Sequence, residues 1–200
     1  WLRSKERANE LFESATARDP DSATLQMELA FTRLVQSGST DASSELEAAI
    51  DAGTPGPIQA GSLLASLQLR AGDEPGARRT ANVQVQRRPD SAAAHNLLGA
   101  VLYLTGNSDR ARPEFERALS LDPDYLVAMH NIARIDAANG DFDNAKRQLN
   151  DVLARDPENL AAMIGLARLG RRAGKDEEAL RWYEKIRTHA DPPLEPLMEL

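Results

Sequence analysis

The chain of 200 residues has no cysteine, 4% aromatic residues and three histidines. Without cysteine there is no disulfide, no thiolate metal site and no cysteine nucleophile. His95, His130 and His189 stand far apart, no two at the i, i+4 spacing of a helical zinc site, and HExxH is missing. The phosphate loop GxxxxGK[ST] is missing too, and Asp and Glu are scattered without a nucleophile–base–orienter set. No catalytic, cofactor-binding or metal-binding residue is therefore nominated, and the chain reads as a non-enzyme. No apolar run approaches the about 18 residues that a membrane helix needs. The net charge of −7 is wrong for a general nucleic-acid binder, because Lys and Arg on phosphates supply most of that affinity. With 42% hydrophobic residues but few rings, a core must be built from Ala and Leu.

What is present is repetition. Gly38, Gly72, Gly106, Gly140 and Gly174 follow one another at 34 residues. Pro55, Pro89, Pro123 and Pro157 do the same, and so do Ala77, Ala111, Ala145 and Ala179. Residues 90–123 show the unit. Leu97, Leu98, Val101 and Leu102 recur at helical spacing in its first half; Ala111, Phe115, Ala118 and Leu119 do so in its second. Gly106–Asn107 separate the halves, where a helix C-terminus needs a left-handed residue. Asp19, Asp122 and Asp156 precede the repeat prolines and read as helix-end or capping residues.

This period and pattern resemble the tetratricopeptide repeat, a 34-residue helix–turn–helix unit. Leu98–Gly99 matches the family's Leu-Gly pair, Ala111 and Ala118 its small residues, Phe115 its aromatic and Pro123 its closing proline. The large aromatic early in the first helix is absent; His95 stands there, and Gly61, Met129 and Met163 in other units. The resemblance implies an all-α, right-handed superhelical solenoid of antiparallel helix pairs. Its layout would be the second helix of a truncated unit at 1–20, an irregular unit at 21–55, and regular units at 56–89, 90–123, 124–157 and 158–191. Residues 192–200 would start a truncated unit, all within one domain. Ala8, Phe12, Ala15 and Pro20 repeat the second-helix spacing, which predicts a helix over 4–18. One extra residue between Pro20 and Gly38 is expected in or just after the first helix of the irregular unit, whose second helix has Ser43 in place of alanine. The second helix of the unit at 56–89 is read over ARRTANVQVQRR. With no whole capping helix at either end, the chain reads as a piece of a longer array, with Leu194, Leu197 and Met198 exposed at a cut end.

In this family the first helices line a concave groove that takes the ligand. The resemblance places Asn96 and Tyr103, then His130, Asn131 and Arg134, then Arg168, Arg171 and Arg172 in it as partner-binding residues. Ser62, Ser66 and Arg70 are the share of the unit at 56–89. A basic stripe in an acidic chain points to a carboxylate-bearing peptide or an anionic polymer, since guanidinium holds planar anions bidentately. The bland alternative is solvated arginines paired with Asp136, Asp176 or Glu177, with Tyr103 a packing residue. The lysine and asparagine clamp that some members use on chaperone tails is unmatched.

Two phrases, at 95–123 and 128–169, are also similar to the PEP-CTERM system TPR-repeat lipoproteins, with Ile132–Asp136 the most distinctive piece. That resemblance implies a scaffold on the periplasmic side of a bacterial envelope, in exopolysaccharide production and PEP-CTERM protein sorting, anchored by lipid outside this sequence. The alternatives are a binding module for an anionic exopolysaccharide and a cytoplasmic adaptor.

Overall fold

The computed structural model describes residues 2–37, 42–51 and 58–189. Gly38, Pro55, Leu194, Leu197 and Met198 lie outside them, as does the segment 192–200. The described residues form eleven α-helices and no strand. They are α1 Leu2–Arg18, α2 Ala23–Ser37, α3 Ser43–Asp51, α4 Ile58–Arg70, α5 Glu74–Arg87, α6 Ala92–Leu104, α7 Ser108–Leu121, α8 Leu126–Ala138, α9 Phe142–Arg155, α10 Leu160–Arg172 and α11 Asp176–His189. The irregular first helix α2 has 15 residues where α4, α6, α8 and α10 each have 13. Just before α3 the small buried contact comes from Ala42, one residue ahead of the Ser43 that stands where the other units have alanine. Helix α5 begins at Glu74, ahead of the polar stretch read as helical, because Asp73 caps it by accepting from the Gly76 N–H at 2.9 Å and Pro75 occupies its first turn.

One turn recurs. At Gly72, Gly106, Gly140 and Gly174 φ lies between 70° and 83°. After α8 the Asp141 N–H reaches back to the Asp136 carbonyl at 2.9 Å, closing a Schellman-type stop that only a left-handed Gly140 allows without strain. Asp141 then caps α9 through the Asn144 N–H at 3.1 Å. One helix ends and the next begins within three residues, so consecutive helices must fold back on each other. Asp122 and Asp156 do the equivalent at the other turn, accepting from the Asp124 N–H at 3.0 Å and the Glu158 N–H at 3.3 Å.

The chain divides into two compact units, Trp1–Asn107 and Ser108–Leu200, so the division falls inside the repeat at 90–123. In the first, α2 to α5 close over Met27, Ala30, Leu46, Ala49, Ile50, Ala60, Leu64 and Leu67. Ion pairs stitch its helices: Arg33 on α2 reaches Glu13 on α1 and Glu45 on α3. In the second, Met129, Ala133, Ala145, Leu149, Val152, Ala162, Leu166 and Leu169 form the core beneath α8 to α10. As the composition requires, these cores are mostly aliphatic and small; Phe115 on α7 is a fully buried ring among the described residues.

Candidate partner-binding face

Within the second unit α8 and α10 pack directly on each other. Helix α8 buries Ala128, Met129, Ile132, Ala133 and Ile135. That leaves a stripe of Val127, His130, Arg134 and Ala138 at spacings of three and four, the period of one helix face. Helix α10 buries Ala162, Met163, Leu166, Ala167, Leu169 and Gly170. Arg168, Arg171 and Arg172 stay exposed on it, within about 100° of arc at 3.6 residues per turn. Arg134 and Arg168 occupy the same repeat position, 34 residues apart.

Arg168, Arg171 and Arg172 make no ion pair with any described residue. Arg134 differs: its Nη1 donates to Asn131 Oδ1 at 3.4 Å. Helix α10 contains no acidic residue, and α8 contains one, Asp136. Asp136 is 6% exposed and held by Arg112 of α7. It follows Arg134 by two residues, which turns it to the opposite side of the helix. The pairing of groove arginines with Asp136 is thus replaced by a pairing across α7 and α8. The acidic residues of this unit's described helices otherwise stand on α7, α9 and α11.

His130 is half-buried between these arginines. Its Nδ1 is buried with no hydrogen-bond partner among the described residues, and its Cε1 lies 3.4 Å from where a Cβ on Gly165 of α10 would stand. Burial first, then repulsion from Arg134 and Arg168, lowers its pKa, so near pH 7 the imidazole is neutral.

Asn131, expected in the groove, is buried at 9% exposure. One residue beyond His130 turns it into the helix packing, and its amide oxygen serves Arg134 from inside. In the first unit Asn96 and Tyr103 lie half-buried on α6. On α4, the Ser66 hydroxyl donates to the Ser62 carbonyl at 2.8 Å, and Arg70 is exposed. His95, the substitute for the family's aromatic, is a packing residue whose Nε2 lies 2.9 Å from the Pro89 carbonyl oxygen. Two exposed apolar residues at the starts of these helices escaped the sequence reading: Val127 at 54% and Leu160 at 39% exposure. Their signal was spacing, three residues before His130 and four before Ile164.

Among the described residues no group of three or more His, Asp or Glu gathers to hold a metal, and no helix is long and apolar enough to cross a membrane. Two family models, each described as a tetratricopeptide repeat, match residues 90–158 and 130–195. No curated protein matches the sequence. Among solved structures, the chain is similar to a tetratricopeptide repeat protein of Parabacteroides merdae, with TM-score 0.76 and 21% identity over 93% of this chain and 73% of that one. It is similar to a thermophilic TPR protein of Thermus thermophilus, with TM-score 0.71 and 21% identity over 85% and 92% of the two chains. It is also similar to YrrB, a TPR protein with an unusual peptide-binding site, at TM-score 0.57 and 18% identity over 92% and 94%. These identities carry the fold alone. The model matches together run over 90–195, more than half of the chain, and make it a tetratricopeptide-repeat protein.

Proposed function

We propose that the chain is a non-enzymatic interaction scaffold whose α8–α10 face holds a carboxylate-rich segment of a protein partner. One observation carries this reading. In a chain of net charge −7, four arginines share a face whose two helices hold a single acidic residue, and that residue is buried in an ion pair elsewhere. The guanidinium groups of Arg168, Arg171 and Arg172, which pair with no described acid, are positioned to take carboxylates bidentately, with Arg134 adding its charge beside them. Val127 and Leu160 add exposed apolar contact at the same helices' N-terminal ends. Peptide binding by one structural neighbour, YrrB, supports the class of ligand.

The test is a pull-down from bacterial envelope and cytosolic extracts with wild type beside Arg134→Glu/Arg168→Glu. A partner held by wild type and lost from the variant is expected, because each charge-assisted hydrogen bond contributes about 1.5–3 kcal/mol. The same partners on both, or none on either, overturns the reading.

The finer reading assigns the scaffold to the periplasmic side of a bacterial envelope, lipid-anchored outside this sequence, in the PEP-CTERM exopolysaccharide system. The phrases at 95–123 and 128–169 support it. Fractionation of cells making the whole protein tests it, and recovery with the cytosol sinks it. The same arginine face would also take the carboxylates of an anionic exopolysaccharide, which competition between an acidic peptide and polygalacturonate distinguishes from a protein ligand.

A further inference from the structure

The opposite side of the second unit carries a separate cleft. Helices α8 and α10 pack directly, whereas α9 and α11 lie further apart and meet through the Lys146–Glu178 ion pair at 2.5 Å. Between α9 and α11 lies an open cleft of about 420 Å³, lined by Lys146, Glu178, Arg181, Trp182 and Lys185. The cleft is shallow and open to solvent, a place for a ring laid on the surface rather than enclosed. Trp182 is half-buried and packs against the core beneath α8 to α10. The Lys185 ammonium stands over the ring, 5.3 Å from its centroid, so a ligand's ring would share the indole with it. Three cations, one carboxylate and one indole therefore line the cleft. The carboxylate is already held by Lys146, and its contact with that ammonium lowers the Glu178 pKa, so it stays ionised.

The structure assigns this cleft to a small ring-bearing anion. A flat ring or sugar face lies against Trp182, and its carboxylate or phosphate is taken by Arg181 and Lys185. An indole supplies a platform that tolerates many ring faces, and the unmatched positive charge selects an anionic substituent. None of these residues belongs to the α8–α10 face, so this site stands or falls apart from the proposed scaffold role.

The chain has two tryptophans, Trp1 and Trp182. In the Trp1→Phe background Trp182 is the sole reporter. Emission excited at the indole's red edge is followed while adenosine monophosphate or trigalacturonate is added, with adenosine, a neutral trisaccharide and inorganic phosphate as controls. Calorimetry on the same pairs gives the affinities. The expected result is a saturable response to at least one of the two ring anions. It should be at least about tenfold weaker for the matching neutral ring and for phosphate alone, and lost in Arg181→Glu/Lys185→Glu with the helical circular-dichroism signal intact. A response to only one of them says whether the ring is a base or a sugar. No saturable binding of either, equal binding of the neutral analogues, or unchanged binding by the variant overturns the assignment.

Discussion

Hairpins α4–α5 and α10–α11 stand at the same repeat positions, 102 residues apart, and bring their helices together in opposite ways. In α4–α5 the close approach lies near the start of α4. A Cβ added at Gly61 would stand 2.6–2.7 Å from the Gln84 side chain, which is fully buried. In α10–α11 it lies near the end of α10. A Cβ at Gly170 would stand 3.1–3.3 Å from the backbone N, Cα and Cβ of Ala179. Where the first hairpin has Gln68 accepting from the Thr80 hydroxyl at 2.8 Å, the second has Gly170 and Trp182. The outward faces differ as well: Ser62 and Ser66 on α4, Ile164 and Arg168 on α10. The repeat prescribes that two helices meet, and leaves open which residue pair sets the distance and what the outer surface carries.

Substitutions at matched positions separate the two hairpins. The largest effect is expected where the hairpins are most alike. Leu64 and Leu166 share one repeat position, and each is 2% exposed. Leu64→Ala and Leu166→Ala should each cost about 2–5 kcal/mol in denaturant unfolding; a cost below about 1 kcal/mol at either would show that hairpin to be loosely packed. Next, Gly61→Ala should destabilise by about 1–2 kcal/mol, overpacking outweighing the gain in helix propensity of about 1 kcal/mol. In a Gln84→Ala background the same change should become stabilising. Gly170→Ala should cost less, and no side-chain truncation should rescue it, because the obstacle includes the Ala179 backbone. Thr80→Val should cost about 1 kcal/mol through the lost bond to Gln68, and an unchanged stability would remove that bond from the account.

The smallest effect is a pH dependence. His130 has a lowered pKa in the folded chain, through burial and then Arg134 and Arg168. As pH falls through the unfolded value of about 6.5 the unfolded chain takes up a proton before the folded one does, so stability declines below that point. His130→Gln should flatten the stability profile between pH 7 and 5. An identical slope in wild type and variant would show that His130 does not contribute it.

The helix pairs, their turns and the positions of the buried Ala and Leu were legible in the sequence because each follows a local rule. A left-handed stop needs glycine, so the turns announce themselves at Gly72, Gly106, Gly140 and Gly174. A helix face recurs at three and four residues, so Leu98, Ile132 and Leu166 report the core. The arginines of α8 and α10 were singled out through the resemblance to the repeat family, and the structure leaves all four exposed. The roles of Asn131 and Asp136 were not. Both are polar residues on helices that also carry exposed polar residues, and period alone does not say which of them a neighbouring helix covers. The α9–α11 cleft was not legible either, since Lys146 and Trp182 are far apart in sequence and only the spacing of two helices joins them.

Two classes of property thus separate. Helix type, repeat length, turn conformation and the charge carried by each helix reside in single residues and their spacing, and were already present in the order of the amino acids. Which polar group is buried, which cation is left without a partner and where a cleft opens depend on the helix packed alongside. Asp136 is held by Arg112 and Lys146 by Glu178 because α7 and α11 bring those partners within reach, while no described acid reaches Arg168, Arg171 or Arg172.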